Sequence, residues 1–352
     1  MDKDLLDIYT DYLISQTKYA TATKLSDILD QEVSHDKITR FLSKSDLTSL
    51  EFWKYIKPLV RKHNSQYDVL CLDDTISEKP STDENDIVCW HHSHAKGVHV
   101  KGINIVSCML STSNLSIPID YEIVKKDERY YDKKDKRYKR RSKVTKNQMF
   151  QNMINRAVIN HVKFKYILAD SWFCSKDNMN FIHHTLSKKF ILGMKSNRVV
   201  ALTDYARRSK DFIKLSDLDI ADGESLKIWL KDMNFPVLLT KRIFINENGT
   251  KGILYLVTND LEIDSDQLYH DYQKRWQIEV YHKSIKQNTS LSASPTKVEK
   301  TQRNHIFCSL VAFCKLEMLK IKTSLNHFAL KYKLLVRSND IALKQLYEIR
   351  NS

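Results

Sequence analysis

Apolar residues at the start of the chain recur at intervals of three and four, which is the spacing of an amphipathic helix. Two shorter helices are predicted over residues 23–29 and 36–42, and Ser34 before the second can cap it. The apolar face of the first helix consists of Leu5, Leu6, Ile8, Tyr9, Tyr12 and Leu13.

The two shorter helices and the break between them have the spacing of a helix-turn-helix motif. The alternative is a plain helical bundle. Residues 1–63 carry 10 Lys and Arg residues and 10 Asp and Glu residues, so their charge favours neither interpretation. The polar residues that would face DNA are His35, Lys37 and Arg40. The apolar residues that a bundle would bury are Ile38, Phe41 and Leu42.

From residue 67 the pattern changes to short apolar runs, which are typical of buried strands. Residues 67–72 and 164–169 are two such runs, and each is followed by aspartate. Helical spacing returns between them, at residues 149–161. This alternation of strands and helices predicts an α/β fold. Further strands are predicted at residues 87–91, 98–110, 117–123 and 189–194, and a further helix at residues 176–186.

The second half of the chain is predicted to hold a β-rich insertion followed by long helices. One helix begins near Asp264 or Ser265, either of which is a good N-cap, and runs to about Asn288. Another spans about residues 298–322. The predicted units are an N-terminal helical domain (1–62), an α/β core in two parts (63–195 and 262–325), the β-rich insertion (196–261) and a C-terminal helical tail (326–352).

The composition is that of a globular protein, with 42% hydrophobic and 28% charged residues. No apolar run approaches the length of a transmembrane helix, so no membrane is expected as a partner. The six cysteines contain no C-x-x-C pair, which indicates reduced thiols in a cytoplasmic protein. A phosphate-binding loop and a G-x-G-x-x-G motif are both missing, so neither ATP nor a nicotinamide cofactor is expected.

The charge balance favours a polyanionic partner. The chain has 57 Lys and Arg residues against 43 Asp and Glu residues, and its net charge is +14. Residues 125–146 alone hold 12 basic and 4 acidic residues, with three tyrosines among them. Basic side chains neutralise phosphates and aromatic rings can stack on bases, so this run, including Arg140 and Arg141, is predicted to contact DNA. The alternative is a solvated loop without a ligand.

Two carboxylates, Asp74 and Asp170, follow the apolar runs at residues 67–72 and 164–169. Catalytic and binding residues gather at the C-terminal ends of strands in α/β sheets. A buried carboxylate without a partner is costly unless it binds a metal or accepts hydrogen bonds. Oxygen ligands of this kind suit Mg²⁺ or Mn²⁺.

A third group of polar residues falls on the helix predicted over residues 264–288. Tyr272, Arg275, Glu279 and Lys286 would lie within roughly 60° of one another on one helical face. A carboxylate beside cationic side chains suits phosphodiester chemistry, because the carboxylate binds metal and the cations hold phosphate oxygens. The alternative is a surface helix with an ion pair between Arg275 and Glu279.

Taken in order, Asp74, Asp170 and the Y-x2-R-x3-E-x6-K helix resemble the insertion-sequence transposases with a D-D-E triad and a Y-R-E-K signature. The blocks at residues 73–75 (DDT), 169–173 (ADSWF) and 275–283 (RWQIEVYHK) carry this resemblance, which covers about residues 65–320. It implies a ribonuclease-H-like mixed sheet flanked by helices. It also implies a β-rich insertion between the second aspartate and the glutamate.

By this resemblance, Asp74, Asp170 and Glu279 are the catalytic residues and the ligands of Mg²⁺ or Mn²⁺, with two ions expected. Asp73 is the weaker candidate for the first ligand, since the family pattern places the catalytic aspartate directly before Thr75. The residues assigned to DNA contact are Tyr272, Arg275 and Lys286. Trp229 is a candidate for stacking on a flipped base, although a core position in a hairpin is the favoured interpretation of this residue.

The function that the resemblance implies is cut-and-paste transposition of the element's own DNA. The expected partners are double-stranded DNA, as terminal inverted repeats and target, and a second copy of the chain in a homodimer. A bacterial-type, nucleoid-associated location in the cytoplasm is expected. The alternatives are a ribonuclease-H-like nuclease that no longer transposes and a DNA-binding protein without enzymatic activity.

Overall fold

The computed structural model describes residues 2–93, 96–246 and 248–351. Its helices are α1 (Lys3–Ser15), α2 (Ala22–Ile28), α3 (His35–Lys44), α4 (Ser49–His63), α5 (Lys146–Ile159), α6 (Lys176–Asn180), α7 (Asp204–Arg208), α8 (Ser265–Gln273), α9 (Trp276–Gln287), α10 (Glu299–Thr323) and α11 (His327–Asn351). Its strands are β1 (Val69–Glu78), β2 (Val88–Ser93), β3 (Val98–Ser111), β4 (Ser116–Ile123), β5 (Glu128–Asp132), β6 (Arg137–Arg141), β7 (Tyr166–Ala169), β8 (Lys189–Met194), β9 (Val199–Ala201), β10 (Ile213–Lys214), β11 (Ser225–Leu230), β12 (Pro236–Ile245) and β13 (Lys251–Thr258).

Eleven of the described strands form one mixed sheet, in the order β10-β9-β11-β12-β13-β8-β7-β1-β3-β2, with β4 also paired to β3. The neighbours β1, β7 and β8 are parallel, whereas the other pairs are antiparallel. Helices flank this sheet. The predicted mixed α/β architecture is therefore confirmed, and it is consistent with a ribonuclease-H-like core.

Contacts of two adjacent β4 residues show that helices cover both faces of the sheet. Arg156 of α5 pairs with Asp120 at 2.6 Å. The ring of Tyr121 packs edge-on against Phe52 of α4, with centroids 5.7 Å apart. Since adjacent strand residues point to opposite faces, α5 lies on one side and α4 on the other. Phe307 places α10 with α4, because its ring centroid is 5.9 Å from that of Phe52.

The N-terminal helices share their core with α10. The Tyr9 hydroxyl is hydrogen-bonded to Nδ1 of His305 at 2.9 Å, and the Asn304 amide donates to the carbonyls of Leu42 and Ser45. The apolar face that a bundle would bury is buried, whereas His35, Lys37 and Arg40 are exposed. The packing of a bundle is thus present, and the polar face proposed for DNA remains accessible. The predicted cap also forms, since the Ser34 hydroxyl accepts from the backbone N–H of Lys37.

The prediction that the first apolar strand ends before the aspartates was wrong. β1 continues to Glu78, because β3 pairs with it along its whole length, from Val69 opposite Ser111 to Glu78 opposite Gly102. Asp73 and Asp74 therefore lie inside a strand. The prediction for Asp170 holds, since it directly follows the last residue of β7.

The prediction of one continuous helix from residue 264 to residue 288 was also wrong. Lys274 and Arg275 separate α8 from α9, and their backbone N–H groups donate to carbonyls three residues back rather than four. This tighter turn changes the direction of the chain between the two helices. Asp264 is the N-cap of α8, since its side chain accepts from the N–H groups of Asp266 and Gln267.

The β-rich segment predicted as an insertion is continuous with the main sheet. β13 pairs with β8, and Tyr255 lies opposite Met194. In the basic run, β5 and β6 form a separate two-stranded hairpin rather than an irregular loop. Across the described ranges, none of the helices is long and apolar enough to cross a bilayer.

Candidate active site

The parallel strands β1 and β7 bring two aspartates to the same level. Cys71 of β1 lies opposite Leu168 of β7. Asp73 follows Cys71 by two residues, and Asp170 follows Leu168 by two residues. Strand residues two positions apart share a face, so both carboxylates lie on the face that carries Cys71 and Leu168. This face is covered by the segment that joins α8 to α9, since the Cys71 thiol donates to the carbonyl of Lys274 at 3.7 Å.

Asp74 points to the opposite face, towards the beginning of α5. Its Oδ2 accepts a hydrogen bond from Nζ of Lys146 at 2.7 Å and another from Nδ2 of Asn104 at 2.7 Å. The charge of this carboxylate is therefore already compensated within the protein. The structure therefore brings Asp73 close to Asp170. The predicted first ligand, Asp74, lies on the opposite face of the sheet.

Helix α9 supplies the third carboxylate of the site. Nη1 of Arg275 donates to Oε1 of Glu279 at 3.2 Å and lies 3.9 Å from Oδ2 of Asp73. His282 lies one turn beyond Glu279. One oxygen each of Asp73 and Glu279 and one ring nitrogen of His282 all lie within 4.8 Å of one another. Three side chains from β1 and α9 thus converge on one point.

The surroundings of Asp73 disfavour the charged form of its carboxyl group. Burial, followed by the charges of Asp170 and Glu279, raises the pKa of Asp73 to about 8. Arg275 is the cation that contacts Asp73 and Glu279 directly. Burial also lowers the pKa of His282 to about 3, so its imidazole is neutral at physiological pH.

This donor set fits a divalent cation. Carboxylate oxygens are the preferred ligands of Mg²⁺ and Mn²⁺. A cation would neutralise the charge that raises the pKa of Asp73. The residues that would hold it are Asp73, Asp170 and Glu279.

Tyr272 lies behind Asp170 and not at an open surface. Its side chain is buried, and its hydroxyl donates to the carbonyl of Ala169 at 3.5 Å. Gly193 leaves room for it, because a β-carbon there would lie 3.0 Å from that hydroxyl. Burial raises the pKa of Tyr272 to about 12, so this phenol is poorly suited to act as the nucleophile of a tyrosine recombinase.

Two further predicted DNA contacts, Lys286 and Trp229, lie in different parts of the fold. Lys286 is exposed on α9, on the same helix as Glu279. Trp229 is half-buried in β11, opposite Pro236, with the amino group of Lys227 above its ring. Four strand steps separate β11 from β7 and five separate it from β1, so Trp229 lies in a different part of the sheet from the aspartates.

The two predicted arginines of the basic run are held by acidic partners. Nη1 of Arg140 donates to Asp86 at 2.8 Å, which fastens the hairpin to the residues before β2. Arg141 pairs with Glu128 at 2.8 Å but remains exposed. The hairpin exposes further basic residues at its turn, at Lys133, Lys134, Lys136 and Arg137, of which Arg137 lies 3.7 Å from Asp135.

The structure places Asp73 and His282 together with Glu279, whereas sequence reasoning ranked Asp73 below Asp74 and did not name His282. The signal for Asp73 was side-chain alternation. If the strand continues past residue 72, Asp73 lies two residues after Cys71 and therefore on the same face of the sheet. His282 follows Glu279 by three residues, which is the spacing of neighbours on a helical face. Two exposed tryptophans beside the site were also missed: Trp172 after Asp170, and Trp276 after Arg275.

A cluster of carboxylates in a strongly basic chain is typical of enzymes that cut nucleic acids with the help of metal ions. The particular family follows from comparison with known proteins. The profile described as DDE superfamily endonuclease matches residues 1–211. That match covers more than half of the chain, which therefore belongs to this family of DDE-type nucleases and transposases, whose substrate is DNA. The match ends before α9. No curated protein matches the chain.

Proposed function

We propose that this protein is a transposase that cuts and pastes its own insertion sequence. The observation that carries the proposal is the convergence of Asp73, Asp170 and Glu279 from two parallel strands and a helix. The Y-R-E-K spacing on α8 and α9 supports a transposase over a general nuclease. The surplus of positive charge supports a substrate as long as the end of a DNA element.

In this proposal Asp73 takes the place of Asp74 as the first ligand, with Asp170 and Glu279 as the other two. Two bound Mg²⁺ or Mn²⁺ ions would activate the attacking water or 3′-hydroxyl and stabilise the leaving oxygen. Arg275 positions Asp73 and Glu279 through its contacts with both carboxylates. Lys286, further along α9, is exposed and can contact a phosphate.

We also propose that the chain acts as a homodimer, since two DNA ends must be joined in one complex. The five units of residues 1–62, 63–195, 196–261, 262–325 and 326–352 are our proposed organisation of the chain. The expected substrates are the element's terminal inverted repeats and target DNA, at the bacterial nucleoid. Tyr272 would support the Asp170 loop rather than contact DNA directly.

The experiment is Mg²⁺- or Mn²⁺-dependent cleavage of DNA that carries the ends flanking the coding region. Glu279→Ala should abolish cleavage at the element boundary, because it removes a metal ligand. The matched control is Glu348→Ala, which alters an exposed residue of α11 and should leave cleavage unchanged. Both proteins should still bind DNA.

Three outcomes would contradict the proposal. Cleavage that ignores the element's ends would show a nuclease that does not transpose. Binding without cleavage by the unaltered chain would show a DNA-binding protein. Boundary cleavage that survives Glu279→Ala would remove α9 from the active site.

A further inference from the structure

His282 is a buried side chain with a nitrogen that nothing in the described part of the chain satisfies. It is 5% exposed, and its Nε2 atom is buried without a hydrogen-bond partner. A buried polar atom of this kind costs free energy unless it has a partner, so its presence calls for an explanation. One ring nitrogen of His282 lies within 4.8 Å of carboxylate oxygens of Asp73 and Glu279.

A structural role would leave a different set of contacts. His305 is as deeply buried, at 1% exposed, and both of its nitrogens are hydrogen-bonded. Nδ1 of His305 meets the hydroxyl of Tyr9 at 2.9 Å, and Nε2 meets the carbonyl of Ser290 at 2.9 Å. Buried His91 also has an unpartnered Nε2, so what distinguishes His282 is that its unsatisfied nitrogen occurs in a side chain beside the carboxylates of Asp73 and Glu279.

We propose that His282 provides a nitrogen ligand to a divalent cation held by Asp73 and Glu279. This inference rests on the proposed function, because it assumes the metal site described there. It adds a fourth protein side chain to that site. A nitrogen ligand binds Mn²⁺ more strongly than Mg²⁺, so His282 shifts the preference of the site from Mg²⁺ towards Mn²⁺.

The position of His282 on α9 explains how it can reach the cation. Glu279 and His282 are three residues apart and lie on neighbouring positions of one helical face. Arg275 lies one turn before Glu279 on the same side. The N-cap residue Arg275 and the first two turns of α9 thus place a guanidinium, a carboxylate and an imidazole near Asp73 of β1.

The test is pulsed electron paramagnetic resonance of the full chain loaded with one equivalent of Mn²⁺. A directly bound imidazole gives a ¹⁴N coupling to the Mn²⁺ electron spin, which does not depend on catalysis. We expect this coupling in the unaltered protein, and its replacement by a ¹⁵N coupling when histidine is isotopically labelled. His282→Gln should remove it and weaken Mn²⁺ binding about tenfold, with a smaller effect on Mg²⁺. The matched control is His35→Gln, at an exposed position of α3, which should change neither quantity.

The outcomes separate this inference from the proposed function. Mn²⁺ that binds and is lost in Glu279→Ala, but shows no nitrogen coupling, would overturn the role of His282 and leave the metal site intact. Mn²⁺ binding that is unaffected by Glu279→Ala would overturn the proposed function itself. The labelled, unaltered protein answers the question even where His282→Gln fails to fold.

Discussion

Adjacent aspartates in β1 have opposite environments. Asp73 lies among carboxylates and has a raised pKa, whereas Asp74 is paired with Lys146 and Asn104. The chain alone could not separate them, because a D-D pair after an apolar run looks like the end of a strand. Only pairing with β3, which extends β1 past both residues, fixes the face that each one occupies.

At the scale of single residues, we predict that substitutions of Asp73 and Asp74 have opposite effects on cleavage and on stability. Asp73→Asn should abolish cleavage, and it should stabilise the metal-free protein at pH 8 by on the order of 2 kcal/mol, because it removes a buried charge from beside Asp170 and Glu279. Asp74→Asn should retain cleavage but destabilise the fold by about 1–2 kcal/mol, because Lys146 loses its partner. Denaturant unfolding and cleavage assays measure both.

The pH dependence of the first effect follows from the raised pKa of Asp73. Between about pH 4 and pH 8 the folded protein binds this proton and the unfolded chain does not. The stability of the unaltered protein should therefore fall, relative to Asp73→Asn, as the pH rises through that window, and the difference should level off above it. A difference that stays constant with pH, or cleavage lost only in Asp74→Asn, would restore Asp74 as the first ligand.

The elements that local sequence specifies were predicted well, and those that depend on distant partners were not. The apolar run of β7 and the cap of α3 are local signals, and both appear as expected. The interruption at Lys274 and Arg275 has no local signal, since both are good helix formers. It arises where the chain must pass the Cys71 face of β1, and contacts of that kind are invisible in one sequence.

The last two helices are joined by a buried carboxylate. Glu317 of α10 is 3% exposed, and it accepts from the backbone N–H of Ser116 at 2.7 Å and from Lys320 at 2.8 Å. Its other oxygen lies 2.9 Å from Nε2 of His327, the first residue of α11. Hydrogen bonds from His327 and Lys320 hold the pKa of Glu317 below its usual value. α11 has few other buried side chains, so this contact anchors it.

We predict that Glu317→Gln destabilises the protein by about 3 kcal/mol at pH 7, because an amide cannot accept from all three donors. Hydrogen exchange should increase first at the start of α11. Since the pKa of Glu317 is lowered by folding, its contribution is present above the ordinary carboxyl range and is lost as the pH falls through it. The difference from the unaltered protein should therefore shrink in acid. Glu348→Gln, exposed on α11, is the control, and equal destabilisation by both would refute the anchor.

At the scale of the whole molecule, part of the net charge of +14 is located on one surface feature. The two-stranded hairpin of β5 and β6 stands apart from the main sheet and carries basic residues at its turn. The sequence indicated the charge but not the hairpin, because a run of Lys and Arg has no strong strand preference. Tyr131 and Tyr138 lie opposite each other in the hairpin, with ring centroids 5.3 Å apart, and their contact stabilises it.

We predict that this hairpin contributes to the salt dependence of DNA binding. Changing Lys133, Lys134, Lys136 and Arg137 to alanine should reduce the magnitude of the slope of log K against log salt concentration by about 3.6, because each lost phosphate contact contributes about 0.9. The matched control removes four exposed charges from α11: Lys333, Arg337, Lys344 and Arg350. Equal slopes for both quadruple variants would show that DNA does not contact the hairpin.

The pairing of β8 with β13 has a consequence for how proteins with this architecture can change during evolution. The polypeptide leaves the core after Met194 and comes back along β13, where Tyr255 lies directly opposite that same methionine. The points of departure and return are thus neighbours on adjacent strands of the sheet, and the aspartates lie on β1 and after β7, on the far side of β8. The segment between Met194 and Tyr255 can become longer or shorter, or be replaced by another module, without moving the aspartates. The reason is that the entropic cost of closing a loop rises only slowly with its length. New recognition surfaces can therefore evolve between β8 and β13 while the acidic site stays unchanged.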